Sequence, residues 1–299
     1  MASVGARPAT LGGLPTKTVD VPICAIFLAC YLALAVTNMA IFLYNLRRLK
    51  RRFRPSVFMF GFCMARLVTW SVRIAWACDP TNTTLAIVSN VFIAAGVILL
   101  WIVNRIFATR LLGEYHPRIY TKQPYSFIIL RLPYVLVLCC LPMLITAVVQ
   151  EFSNPGPRIL AIDSIILKVA LAIFLGFAAS PFFVLICTYL VPQERDKDEI
   201  RAMQQRFGTG TTLTKVTVIT VATALLITEL SIRVATILQV YPMTAAPWYY
   251  SKATFYVVVP VFELIVLVMF VVVRVDKLFY LYGKNEVVPE EEVEEMEMA

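Results

Sequence analysis

Seven long, mostly apolar runs dominate this chain: about Val21–Tyr44, Ser56–Cys78, Thr84–Phe107, Tyr125–Val149, Ile159–Leu190, Leu213–Leu238 and Lys252–Val273. An α-helix rises ~1.5 Å per residue, so roughly 20 residues cross the ~30 Å hydrocarbon core of a bilayer. Every run meets that length. Backbone groups in hydrocarbon find no water, so a spanning segment must satisfy them within itself or in a closed barrel. The short alternating segments of a barrel are absent. The predicted fold is all-α: a polytopic membrane protein, a seven-transmembrane helix bundle. Composition closes the soluble alternative. With 60% hydrophobic and only 15% charged residues, and a mean hydropathy of +0.77, a chain of 299 residues has too much apolar side chain to hide from water.

The net charge of +8 does not point to nucleic acid, because the basic residues sit in short connections between apolar runs. Sixteen Lys and Arg fall on one side of the predicted bundle and four on the other. The richer side is expected to be cytosolic, which puts the N-terminus outside and the C-terminus in the cytosol. The expected division is an extracellular segment 1–20, a seven-helix domain 21–274, and an acidic, disordered cytosolic tail 275–299 holding seven glutamates between Glu286 and Glu297. No cleavable leader is evident, and the expected location is the plasma membrane or another secretory-pathway membrane. In the longest connection, Ile200, Met203 and Phe207 share a helical face ended by Gly208, which predicts a short interfacial helix. Pro133, Pro142, Pro181 and Pro260 interrupt spans four, five and seven and predict kinks.

Ionisable residues inside the spans carry most of the functional information. Arg66 and Arg73 lie two turns apart on span two with Trp70 between them. Asp163 and Lys168 are on span five, Glu229 and Arg233 one turn apart on span six, and Glu263 near the middle of span seven. Each costs about 3 kcal/mol at the midplane if unpaired. Two readings follow: an internal ion-pair network that locks the bundle, or a polar path for a headgroup or ion. Arg131, near the end of span four, can snorkel to the interface. The basic cluster Arg47, Arg48, Lys50, Arg51, Arg52 and Arg54 is a topology signal, and it also suits contact with anionic inner-leaflet lipids.

The seven cysteines show no C-x-x-C spacing and read as small apolar packers, with a Cys24–Cys78 disulfide as a minor alternative. The Asn82-Thr83-Thr84 triplet sits too close to the membrane to be a good glycosylation site. His116 is the single histidine and is expected as a turn residue before Pro117. One histidine cannot supply the ligand sets of membrane haem, di-iron or zinc enzymes, and no nucleophile motif or phosphate loop is present. No cofactor, metal or catalytic role is expected.

Several stretches carry a resemblance: Phe60–Arg66 (FGFCMAR), Arg73–Ala77 (RIAWA), Ala94–Val97 (AAGV), His116-Pro117, Val148–Gln150 (VVQ), Trp248–Ala253 (WYYSKA) followed by Phe255-Tyr256, Glu263, and Arg274–Asp276 (RVD). Together they resemble a family of uncharacterised fungal seven-span membrane proteins across nearly the whole chain, and that family brings no established activity with it. More distantly, the layout is similar to fungal seven-span proteins linked to lipid translocation and amphiphile resistance, with an Arg near a Glu in span six and a Glu in span seven. Here the order is Glu229 then Arg233, and Val258–Pro260 replaces polar character, so the similarity is one of architecture. It implies a facilitator or exporter of lipids or lipophilic amphiphiles that does not hydrolyse ATP, with membrane lipids and a lipophilic small molecule as partners. A seven-span receptor and a structural membrane protein are the alternatives. Span three ends in Asn104-Arg105-Ile106-Phe107 rather than the acid-Arg-aromatic triplet of G-protein-coupled receptors.

Overall fold

A computed structural model describes residues 10–116, 126–152, 156–191, 210–239 and 245–282, with positions 124, 208, 241 and 242 between them. Among these residues seven helices are long and apolar enough to cross a membrane: α1 Asp20–Arg47, α2 Arg54–Cys78, α3 Thr83–Tyr115, α4 Phe127–Gln150, α5 Pro157–Leu190, α6 Thr212–Leu238 and α7 Lys252–Val272. A short helix, α8, follows at Val275–Leu278. No β-strand occurs among the described residues. The chain is therefore an integral membrane protein of seven-span architecture. Its outer faces agree with that reading: Ile26, Leu138, Ile165, Phe183, Leu190 and Val272 stand more than half exposed, an apolar surface of the kind that faces lipid.

Helix starts follow local chemistry. Asn82 caps α3 by accepting from the amides of Thr84 and Leu85, Thr211 caps α6 through Thr214, and Ser251 caps α7 through Thr254. Pro55 and Pro157 sit in the first turns of α2 and α5, where a missing N–H costs nothing. The cap also occupies the side chain of the glycosylation-triplet asparagine.

α1 packs along α2. The second half of α3 runs through the centre against α2, α5 and α6, α4 covers α5 from outside, and α7 closes back on α1. Spans α1 and α7 run parallel and are joined at two levels, with a third contact from α1 to α8. At their N-terminal ends, Lys252 Nζ and Tyr256 Oη donate to Asp20 at 2.5 and 2.6 Å. In the middle, Tyr31 Oη donates to the Pro260 carbonyl and Glu263 at 3.2 and 3.0 Å. Just past the C-terminal end of α7, Asn45 Nδ2 donates to Asp276 of α8 at 2.9 Å.

Four spans are irregular, and in three of them a side chain satisfies a carbonyl that the irregularity exposes. Proline has no N–H for the carbonyl four residues back. Pro133 thereby frees the carbonyl of Ile129 at a π turn over Phe127–Arg131, and Arg105 Nη2 donates to it at 2.6 Å. Pro181 frees that of Phe177, which accepts from Ser180 Oγ at 2.5 Å. A second π turn, Val257–Val261, surrounds Pro260. Span α3 breaks at Val97 without a proline. The Val97 amide bonds to Ala95 and leaves the Ile93 carbonyl to other donors.

The helical domain extends past the expected boundary at 274. Val275, Leu278, Phe279, Tyr280 and Tyr282 are buried, and Phe279 stacks on Phe107 at 4.5 Å between ring centres. The expected acidic stretch beyond residue 282 and the expected interfacial helix around Ile200 lie outside the described residues. Gly208 is described. Its amide donates to the Tyr280 carbonyl at 2.8 Å, and a Cβ there would lie 1.9 Å from the Lys277 carbonyl oxygen, so only glycine fits.

Candidate functional site

The deepest polar feature is a quartet of charges from α2, α6 and α7, set against the break in α3. Arg66 lies at the middle of its 25-residue helix and is fully buried, as is Glu263. Arg66 Nε donates to Glu263 Oε2 at 2.7 Å and its Nη2 donates to Oε1, a bidentate pair that planar guanidinium geometry favours. Its remaining nitrogen, Nη1, donates to the carbonyls of Phe92 and Ile93, each at 3.3 Å. A Cβ at Gly96 would sit 3.2 Å from that nitrogen, so the glycine makes room for the guanidinium. On α6, Arg233 Nη2 donates to Glu229 Oε1 at 2.5 Å, and Nη1 donates to the same Ile93 carbonyl at 2.7 Å. Two arginines from different spans therefore share the carbonyl that the break at Val97 releases. Glu229 Oε2 and Arg233 Nε, in the same pair, are both buried without a hydrogen-bond partner.

Arg73 belongs to a different cluster. Toward the N-terminal ends of α1 and α7, its Nη2 donates to Asp20 at 3.2 Å and its guanidinium lies 4.3 Å from the ring centre of Phe255. Asp20 is fully buried and also accepts from Thr16, Lys252 and Tyr256. The segment before α1 folds over this cluster. The Gly12 amide donates to the Tyr250 carbonyl at 3.1 Å, and positive φ brings Gly12 against Phe255. A pocket of about 270 Å³ opens beside it, lined by Thr10, Gly13, Pro247, Trp248, Tyr250 and Ser251.

The remaining sequence candidates separate. Asp163 is buried and, with the Gln150 amide turned to face it, accepts from that nitrogen at 2.8 and 3.0 Å. Lys168 is exposed on the outside of α5 and joins no cluster, contrary to its expected place in the charge network. Five residues of helix separate it from Asp163 by about 140° around the axis, so the two cannot share a face. Arg131 is exposed, as a snorkelling residue should be. Of the basic stretch, Arg47, Arg48, Lys50, Arg52 and Arg54 are exposed, but Arg51 is buried and lies over the rings of Tyr280 and Tyr282. It therefore braces the C-terminal segment and does not face lipid. His116 is the C-cap of α3 rather than part of an open loop. It is buried, with Nε2 3.0 Å from the Thr188 carbonyl. All seven cysteines are free, including Cys24 and Cys78.

Several residues at these clusters carried no signal in the sequence. Asp20 and Lys252 looked like surface charges at span ends. Tyr31 is unremarkable within an apolar run, and Asn45 directly follows the first run, beside the basic stretch. Glu114 and Lys215, paired at 3.0 Å where α3 meets α6, are separated by a long stretch of chain. Toward the C-terminal ends of the spans, Arg274 donates twice to Asp276 at 2.9 Å. Burial pushes the Asp276 carboxyl up, but the bonds from Arg274 and Asn45 outweigh it and hold the group below the usual carboxylate range. Those bonds in turn hold Arg274 above its ordinary value.

Chemically, the quartet sets two guanidiniums against two carboxylates inside the bundle. Among the described residues no group of His, Cys, Asp and Glu could hold a metal ion. No curated protein and no solved structure matches the chain. A family model described as a protein of unknown function, DUF3112, matches residues 190–280, the stretch that contributes Glu229, Arg233, Lys252, Glu263 and Asp276 to these clusters and leaves Asp20, Arg66 and Arg73 outside it.

Proposed function

We propose that this protein moves lipids or lipophilic amphiphiles across or between membrane leaflets without hydrolysing ATP or catalysing a reaction, and that the Arg66, Glu229, Arg233 and Glu263 quartet is the polar station on the path. The observation that carries the reading is the meeting of an interrupted span, at Val97, with four mid-membrane charges. Broken helices at the centre of a bundle are where membrane transporters place substrate sites. The fully paired arrangement corresponds to a closed state. Acids would receive a cationic group and arginines a phosphate once the pairs separate. Arg73, Asp20 and Lys252 form the next polar layer toward the N-terminal face. Lys168 has no part in the path.

The basic-residue count orients the N-terminus outward, which makes that face extracellular or lumenal and leaves the C-terminal segment in the cytosol. The exposed residues Arg47, Arg48, Lys50, Arg52 and Arg54 then lie at the inner leaflet, where each contributes about 1 kcal/mol of attraction to anionic lipid. The likeness to fungal amphiphile-resistance proteins fits this reading.

A second reading has its own support. Both oxygens of Glu263 and every nitrogen of Arg66 have partners, which is what a purely structural lock needs. Reconstituted vesicles separate the two. Movement of a fluorescent phospholipid and a fluorescent sphingoid base is compared between wild type and the double variant Arg66→Met with Glu263→Met, which strands no charge. Loss of movement in a folded double variant supports the path. Undiminished movement ends the role assigned to the pair, and no movement by wild type favours the structural lock.

A further inference from the structure

We infer that the cations at the C-terminal ends of α1 and α7 form a docking surface for the chain's own acidic stretch, residues 283–299, which competes there with anionic lipid headgroups. The inference does not rest on the transport reading. It also holds whichever way the bundle is inserted, because the surface and the root of the stretch lie at the same face.

Three pieces of chain build the surface. α1 ends at Arg47, and the connection to α2 carries Arg48, Lys50, Arg51 and Arg52 before Arg54 opens the next span. The bond from Asn45 to Asp276 fixes α8 against this end of α1 and sets the exposed Lys277 beside it. Arg274 is already engaged by Asp276. Six exposed cations remain, the five of the basic stretch and Lys277, and none of them pairs with a carboxylate among the described residues. Like charges gathered on one patch repel, and counter-charge relieves the repulsion.

The docked C-terminal segment ends inside this patch. Tyr280 and Tyr282 set their rings over the Arg51 guanidinium, with the Tyr282 ring centre 4.8 Å from Cζ. Residue 283 therefore starts among the basic residues and not at a distance from them. From there to residue 299 the sequence holds seven glutamates against one lysine, Lys284. A stretch of that length reaches up to roughly 55 Å when extended, enough to meet every cation of the patch. Tethering at Tyr282 presents it at an effective concentration in about the millimolar range. Its glutamates act together, whereas each lipid headgroup arrives alone. With the stretch seated, the patch offers little charge to the membrane. Once it leaves, the same cations are open to anionic headgroups.

Cross-linking of the full chain in phosphatidylserine-containing nanodiscs tests the docking. A zero-length carbodiimide joins a carboxylate to an amine only where the two touch. Lys50 and Lys277 are the reporting amines, and Lys168, exposed on α5, is the control. Links should form between Lys50 or Lys277 and glutamates of the stretch, and fall at least fivefold as salt rises from about 50 to about 500 mM. No link to either lysine, or equal linking to Lys168, overturns the docking. In discs holding one light and one heavy copy, links confined to light–heavy pairs also overturn it, because the occupant is then a neighbouring chain. Competition is read with a variant carrying Glu→Gln at all seven glutamates from Glu286 to Glu297, which keeps the length of the stretch and leaves the helices untouched. It should bind a fluorescent phosphoinositide at least threefold more tightly than wild type at about 100 mM salt, with the difference gone at about 1 M. Equal affinity at the lower salt overturns the competition.

Discussion

Arg66 grips Glu263 along one whole edge of its guanidinium, with Nε on Oε2 at 2.7 Å and Nη2 on Oε1, and neither side chain has accessible surface. The pair joins residues 197 positions apart in the chain. Removing one member of a buried pair strands the other, whereas removing both often costs little.

Arg66→Met alone should therefore destabilise the protein by about 3–5 kcal/mol, and Glu263→Met by a similar amount. The double variant should recover most of the loss. Thermal or denaturant unfolding of the four proteins in one detergent closes the cycle. Additive losses would show that the two side chains do not depend on each other.

Acid should loosen the C-terminal segment through Asp276. Its folded carboxyl is held below its unfolded value, so the carboxylate stabilises the fold above the ordinary carboxylate pKa of ~3.9, and the contribution fades as pH falls through the folded value. At neutral pH, Asp276→Asn should speed hydrogen exchange over residues 275–282 relative to wild type. The difference should shrink as pH is lowered below about 4. A difference that stays constant across that window would rule out the carboxylate as the holding group.

Gly208→Ala should undock the same segment by another route. The added methyl meets the Lys277 carbonyl at 1.9 Å and the Tyr280 amide at 2.9 Å, both backbone atoms that cannot swing away. Limited proteolysis after residue 274 should rise several-fold, while the seven spans keep their helical circular dichroism. Unchanged protection would mean that the connection before α6 relaxes at no expense to the docked segment.

The pairing of Arg105 with a proline-released carbonyl predicts a coupled double-mutant cycle. Arg105→Leu leaves the Ile129 carbonyl without its donor and should cost about 1–3 kcal/mol. In a Pro133→Ala background, residue 133 regains an N–H for that carbonyl, and the same substitution should cost less. Equal costs in the two backgrounds would show that Arg105 serves some other purpose.

The spans themselves were plain in the sequence, because length and hydropathy decide which segments can live in hydrocarbon. Their observed limits fall within a few residues of expectation, except where α3 runs on from Phe107 to Tyr115 through Arg110 and Glu114. The charges that matter were also visible as charges. What could not be read was the partner of each. A helix that is apolar all round gives no sign of which face meets lipid, so Lys168 looked as buried as Asp163. Arg66 and Arg73 share a helix face yet serve two clusters, because their height on α2, and not their face, selects Glu263 or Asp20. The broken turn at Val97 has no proline to mark it. Its carbonyl became meaningful only when α2 and α6 brought two guanidiniums to it.

The three junctions of α1, with α7 at Asp20 and Tyr31 and with α8 at Asn45, have a mechanical consequence. Tied at these three levels, α1 and the α7–α8 segment cannot slide or twist past one another without breaking a buried polar contact at each. They behave as one double-width lever. Any swing that opens the bundle carries both together and hinges against α2 or α6, so a displacement at the C-terminal end of α7 is shared by α1 along its length.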